Sequence, residues 1–170
     1  MIRERRFAAA ATLALALALT TACAPDPAPT PSPTGFASQE EAFAAAEATY
    51  RAYVDALNHR RSDPASKSDP TEYLTGEALS AQVATDADFE HRGIRLSGDT
   101  IISAIRNLSA SAVGAEIGVC LDASATRLFD ASGVDVTPQN RPAMLGLLVG
   151  TVWSNDRTYI SSTTASDEQC

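Results

Sequence analysis

Asp86, Asp88, Glu90 and His91 make the densest cluster of potential ligating side chains in this 170-residue chain. Oxygen donors at alternate positions are how a calcium loop begins. Such a loop turns on a glycine at its sixth position, and here that position is His91. On a helix, Asp86 and Glu90 instead fall one turn apart as a solvated pair, so no metal site is assigned. Nucleophilic chemistry finds no better support. His59 and His91 are the only histidines, both in helical patterns, and there is no GxSxG, HExxH, Walker loop or GxGxxG. Motifs alone therefore assign no catalytic residue, no metal and no cofactor.

The remaining reactive groups are thiols, and the first of them is read from its position. Arg3, Arg5 and Arg6 precede an apolar run of 13 residues, Phe7 to Leu19, which ends in the small residues Thr20, Thr21 and Ala22. A basic start, a short apolar stretch and small residues at the cut are the marks of an export signal. The run falls short of the roughly 20 residues a membrane-spanning helix needs. Cys23, directly after the small residues, resembles the lipobox cysteine of bacterial lipoproteins, where the thiol is acylated and becomes the new N-terminus. An ordinary secretory signal is the alternative, because Thr20 stands where the lipobox favours an aliphatic residue. Acylation implies a membrane lipid as partner through Cys23 and a place on the extracytoplasmic face of the cell membrane. Two acyl chains would hold it there, at about 0.8 kcal/mol per buried methylene.

This divides the chain into a signal (1–22), a lipidated cysteine with its spacer (23–35) and one globular domain (36–170). Proline recurs at every second position from Pro25 to Pro33, so the spacer is extended. The formal charge is −8, and the signal removes a net +2, which leaves −10 on the mature chain. Its bases are scattered, which argues against a nucleic-acid partner. With Cys23 assigned to the anchor, Cys120 and Cys170 are left as a pair in an exported domain. A structural disulfide is the expectation.

Hydrophobic periodicity places the elements. Ser38 and Glu41 form a capping box, and Phe43, Ala46, Tyr50, Tyr53, Val54 and Leu57 follow at helical spacing, with Glu47 and Arg51 set as an ion pair on the opposite side. Asp63-Pro64 stops that helix, and Asp69-Pro70 opens a short helical turn through Leu74. A second helix is expected from about Glu77 to His91, presenting Leu79, Val83 and Phe89. After Gly93 the period changes to 2. Strands are expected over 100–109 with Ile101 and Ile105 on one side, over 113–121 with Val113, Ala115, Ile117, Val119 and Leu121 facing one way, and over 125–130 before a turn at Ser132-Gly133. Met144 to Trp153 reads as a central strand buried on both faces, turned at Asn155-Asp156 into a neighbour over 157–162. Helices first and strands afterwards predict an α+β domain, N-terminal helices packed on a curved antiparallel sheet of four to five strands.

Over about residues 37–163 that order resembles the nuclear transport factor 2-like, or SnoaL-like, cone. A second resemblance, to small actinobacterial lipoproteins with such a domain, rests on Tyr50 to Asn58, Val119 to Ser124, the Asp130 to Val136 turn, Arg141-Pro142 and Glu168-Gln169-Cys170. The cone implies a pocket between helix and sheet, with Tyr50, Tyr53 and Asp122 as candidate lining. Two functional expectations follow. One is a non-catalytic domain binding a small ligand or an envelope protein, with a homodimer through the sheet face allowed by the fold. The other is an isomerase or cyclase of SnoaL or ketosteroid-isomerase type, in which Tyr50 or Tyr53 stabilises an enolate beside a carboxylate drawn from Asp99, Glu116 or Asp122.

Overall fold

Ser38 starts the first helix as the sequence predicts: its Oγ accepts from the Glu41 amide at 3.2 Å, while Glu41 Oε2 accepts from the Ala37 amide at 2.7 Å. In the computed structural model, which describes residues 35–63, 65–167 and 170, this helix is α1, Gln39–Ser62. The expected signal, Cys23 and the proline spacer lie outside the described residues. Acidic Glu40 and Glu41 stand at the start of α1 and basic His59, Arg60 and Arg61 at its end, each complementing the helix dipole. Arg51 donates to Glu47 at 2.7 Å along the exposed side. Asp69 caps a short 3-10 helix, Pro70–Tyr73, and α2 follows over Gly76–His91.

Six strands come next, β1 (Arg95–Ser97), β2 (Ile101–Ser111), β3 (Gly114–Asp122), β4 (Arg127–Phe129), β5 (Met144–Ser154) and β6 (Arg157–Ala165). The fold is α+β. Four strands form a curved, unclosed antiparallel sheet in the order β2-β3-β5-β6, and β1 pairs with β4 in a separate two-stranded ribbon. Asn155 and Asp156, at φ 51° and 59°, make the tight β5–β6 turn whose twist matches that of the strands it joins. Thr75 N donates to Ile160 O at 2.9 Å and Leu74 bridges Ile160, which ties the start of α2 to the edge strand β6.

The core lies between α1 and the inner face of the sheet. Ala42, Ala46, Tyr50 and Val54 meet Ala115, Ile117, Val119, Leu121, Val149 and Ile160, all buried. At about 25 cal/mol per Å² of apolar surface removed from water, this layer supplies the main stabilising term. Phe36 seals one end, its ring edge-on to Trp153 at 5.1 Å. Cys120 is disulfide-bonded to Cys170, with Cα atoms 5.5 Å apart. The bond closes a separation of 50 residues, which is about 4 kcal/mol in the chain-entropy account.

Four local expectations are corrected by tertiary context. Ile101 is 57% exposed, and Ile102 takes the core position instead, because an irregularity in the β2–β3 pairing after Ile102 shifts the phase of the strand. Val113 lies in the β2–β3 turn and is 56% exposed, so the inward row begins at Ala115. The strand β5 is central but not buried on both faces. Among its residues only Val149 and Thr151 are buried, since both helices sit on one side of the sheet. In α2, Val83 is 54% exposed and Ala78 is the buried residue, a difference explained by what α2 covers.

Candidate functional site

Beneath α2 there is a cavity of about 430 Å³, walled by α1, the start of β1, the inner face of the sheet and the loop around Arg141. That volume lies within the roughly 300–1,000 Å³ usual for small-molecule sites. α2 contributes Ala78, Ala81, Gln82 and Thr85 to the lining. Its inward side is small and polar because it roofs a space, where a row of large apolar residues would fill it. Leu121, Leu145 and Leu147 form the floor, and Tyr50, Tyr53, Val54, Leu57 and Arg61 line it from α1. Tyr50 and Tyr53 fall on this side because their spacing of three keeps them on one helix face. Their rings are tilted against each other at 5.9 Å.

The two tyrosines differ in their hydrogen bonding. Tyr53 Oη donates to Gln82 Oε1 at 2.9 Å, and Gln82 Nε2 donates to Asp86 Oδ1 at 2.8 Å. Asp86 is held in turn by both terminal nitrogens of Arg60, at 3.0 and 3.2 Å. This chain of bonds latches the middle of α2 to the end of α1. Tyr50 is buried, and its hydroxyl has no hydrogen bond among the described residues. Burial, and secondarily the neighbouring Tyr53, push the Tyr50 phenol well above the ordinary tyrosine range. Burial also raises Tyr53, against the opposing pull of Arg61 and Arg60.

Two arginines complete the lining. Arg61 Nη1 donates to Thr100 Oγ1 at 2.8 Å and to Asn58 Oδ1 at 3.4 Å. Asn58 is fixed by a reciprocal pair with the backbone of Thr100, at 2.9 and 3.0 Å. Burial lowers the Arg61 pKa, partly offset by Tyr53, while Asp99 acts on it only through space. Arg141 Nη2 donates to the carbonyls of Ala123 and Thr126, both at 2.9 Å, and its Nε is buried with no hydrogen-bond partner among the described residues. Neither arginine has a carboxylate within ion-pair distance among the described residues.

The expected acids lie elsewhere. Asp122 is on the β3 face turned away from the cavity, where it pairs in register with Ile101 and Met144 and accepts from the Ser124 amide at 2.8 Å. It is therefore not a lining residue: the alternation that points Leu121 inward points Asp122 outward. Glu116 shares that outer face, and Asp99 lies in a separate surface recess between α1 and the start of β2. Glu77 is the carboxylate that does line the cavity, in the first turn of α2 and exposed. The cluster of Asp86, Asp88, Glu90 and His91 is dispersed around α2, with Asp86 paired to Arg60 and Asp88 to Arg92. Tyr50 and Tyr53 both line the cavity. Arg61 and Arg141 were not legible as site residues, because they belong to segments 80 positions apart in sequence and to no catalytic or ligand-binding motif.

No protein-family model and no curated protein matches this chain. Among solved structures it is similar to the intermembrane space region of the chloroplast protein ARC6, at 16% identity, over 73% of this chain and 95% of that one, with a TM-score of 0.49. A likeness of that degree carries no argument about function.

The tyrosine environment predicts a pH dependence. A raised pKa means that the folded state holds the phenol proton more tightly than the unfolded chain does. The resulting stability is fully present below about pH 10, the ordinary tyrosine value, and is lost as pH rises from there through the folded pKa. Urea unfolding across that range should show stability falling with pH, and Tyr50→Phe should flatten the fall. An unchanged slope in Tyr50→Phe would contradict the assignment.

Proposed function

We propose that this protein is an extracytoplasmic lipoprotein, anchored through acylated Cys23, whose nuclear transport factor 2-like domain binds a small apolar ligand without transforming it. The observation that carries the binding role is the cavity itself. Its lining joins aliphatic side chains and two phenols to Gln82, Glu77, four threonines and two arginines, and it is large enough for a small molecule. An isomerase of the SnoaL type needs a general base within hydrogen-bond reach of the reacting carbon and a phenol to take the developing charge. Here Tyr53 donates to an amide, Gln82, and the carboxylate behind that amide is already neutralised by Arg60. Asp99, Glu116 and Asp122 lie outside the cavity lining, and Glu77, which lines it, is exposed and makes no hydrogen bond to either tyrosine among the described residues. These features favour binding over catalysis.

The anchor is supported by the basic start, the short apolar run and the small residues before Cys23. Among the described residues, no helix is long and apolar enough to cross a membrane. An acylated cysteine would supply the attachment, with the proline-rich segment as the linker to the domain.

Two measurements test the proposal. Cys23→Ser should move the protein from the membrane fraction of an expressing bacterium into the soluble fraction, and unchanged fractionation would remove the anchor from the account. For binding, the neutral apolar fluorophore N-phenylnaphthylamine should brighten saturably with the protein and lose most of that signal in Ala81→Trp, which fills the mouth of the cavity from α2. No brightening, or equal brightening with the variant, would overturn the ligand site.

A further inference from the structure

The two arginines in the cavity wall stand out against the rest of the molecule. Arg51, Arg60 and Arg92 each pair with a carboxylate at 2.7 to 3.0 Å on the surface. The chain has 21 acidic residues, so pairing partners are plentiful. Yet Arg61 and Arg141, which line the cavity, bond only to neutral oxygens, and the buried Nε of Arg141 has no partner among the described residues. A buried donor left unsatisfied costs about 1–3 kcal/mol. Both guanidinium groups line the cavity with no carboxylate beside them among the described residues, so their charge is left for an anion there to balance.

Both guanidinium groups are tied to adjoining stretches of chain in the cavity wall. Arg61 is held by Thr100, and Arg141 by the carbonyl of Thr126. Gly98, two residues before Thr100, packs so closely on Ala125 and Thr126 that a Cβ there would overlap the Ala125 carbonyl; its φ of +83° also suits glycine alone. The register of β1 with β4, which opposes Ser97 to Arg127, fixes this approach. Glu77 lies nine residues before Asp86, the partner of Arg60 next to Arg61, so about 13 Å of helix rise keeps its charge remote from Arg61.

We infer that the ligand is an apolar anion, with a carboxylate or phosphate head held between Arg61 and Arg141 and an apolar body over Leu121, Leu145 and Leu147. The planar fork of a guanidinium matches both head groups and is less strongly hydrated than an ammonium, which suits a site shielded from water. The tyrosines flank this arrangement uncharged at physiological pH, with the Tyr53 proton held by Gln82, so neither repels an anion. The inference rests on the cavity being the ligand site proposed above.

Displacement of bound N-phenylnaphthylamine by decanoate, decyl phosphate and decanol tests it. The three share an apolar chain and differ in the head. At least one anion should displace the fluorophore at a concentration about tenfold lower than decanol requires, the difference expected of a charge-assisted contact. The more effective anion identifies the head as carboxylate or phosphate. Arg61→Gln should bring the anions to parity with decanol, whereas Arg61→Lys should keep part of the preference. If decanol matches both anions on the wild-type protein, the charge selectivity is overturned while the cavity stands as a ligand site. If the fluorophore does not brighten at all, the binding function itself has failed. The wild-type comparison decides the matter even where a variant does not fold.

Discussion

The packing of α1 across β3 is the contact on which the rest of the domain depends. Ala42, Ala46, Tyr50 and Val54 on the helix face Ala115, Ile117, Val119 and Leu121 on the strand, and this layer excludes water from the sheet's inner face. The small residues Ala42 and Ala46 let the helix approach closely at one end. Two turns on, the residues become Tyr50, Tyr53 and Leu57, larger and more widely reaching, and there the curved sheet and the helix enclose space. A single element thus makes both the core and the wall of the cavity.

The roof follows from that wall. α2 has little apolar patterning of its own: Ala78 and Leu79 reach the core, and two further ties hold it. The 3-10 helix and Thr75 bind its start to β6, and the path Tyr53–Gln82–Asp86–Arg60 ties its middle to α1. Polar latches of this kind are weaker than a packed apolar face, since net hydrogen bonds contribute about 1 kcal/mol each.

Features set by neighbouring residues were legible in the sequence. Ser38 and Glu41 define a cap, Glu47 and Arg51 an ion pair, Asp69-Pro70 a helical start and Asn155-Asp156 a hairpin, because each depends on backbone chemistry within a few positions. What depends on which faces are covered was not. The near-continuous apolar run of β5 reads as doubly buried, yet the sheet has helices on one side only. Ile101 keeps its apparent phase in sequence and loses it to an irregularity in strand pairing. Asp122 is adjacent to a lining residue and therefore faces the opposite way. The arginine pair could be read only after folding: Arg61 resembles an ordinary helix-terminal base and Arg141 an ordinary loop residue until Thr100 and Thr126 bring them to the wall of one cavity.

Methyl-resolved NMR of leucine-labelled protein titrated with decanoate tests the central claim most directly, because adjacent leucines of one strand report on opposite faces of the sheet. The account predicts saturable shifts at Leu121, Leu145 and Leu147 while Leu148, on the outer face of β5, stays in place. Shifts centred on Leu148, or no saturable change at the three inner leucines, would contradict it.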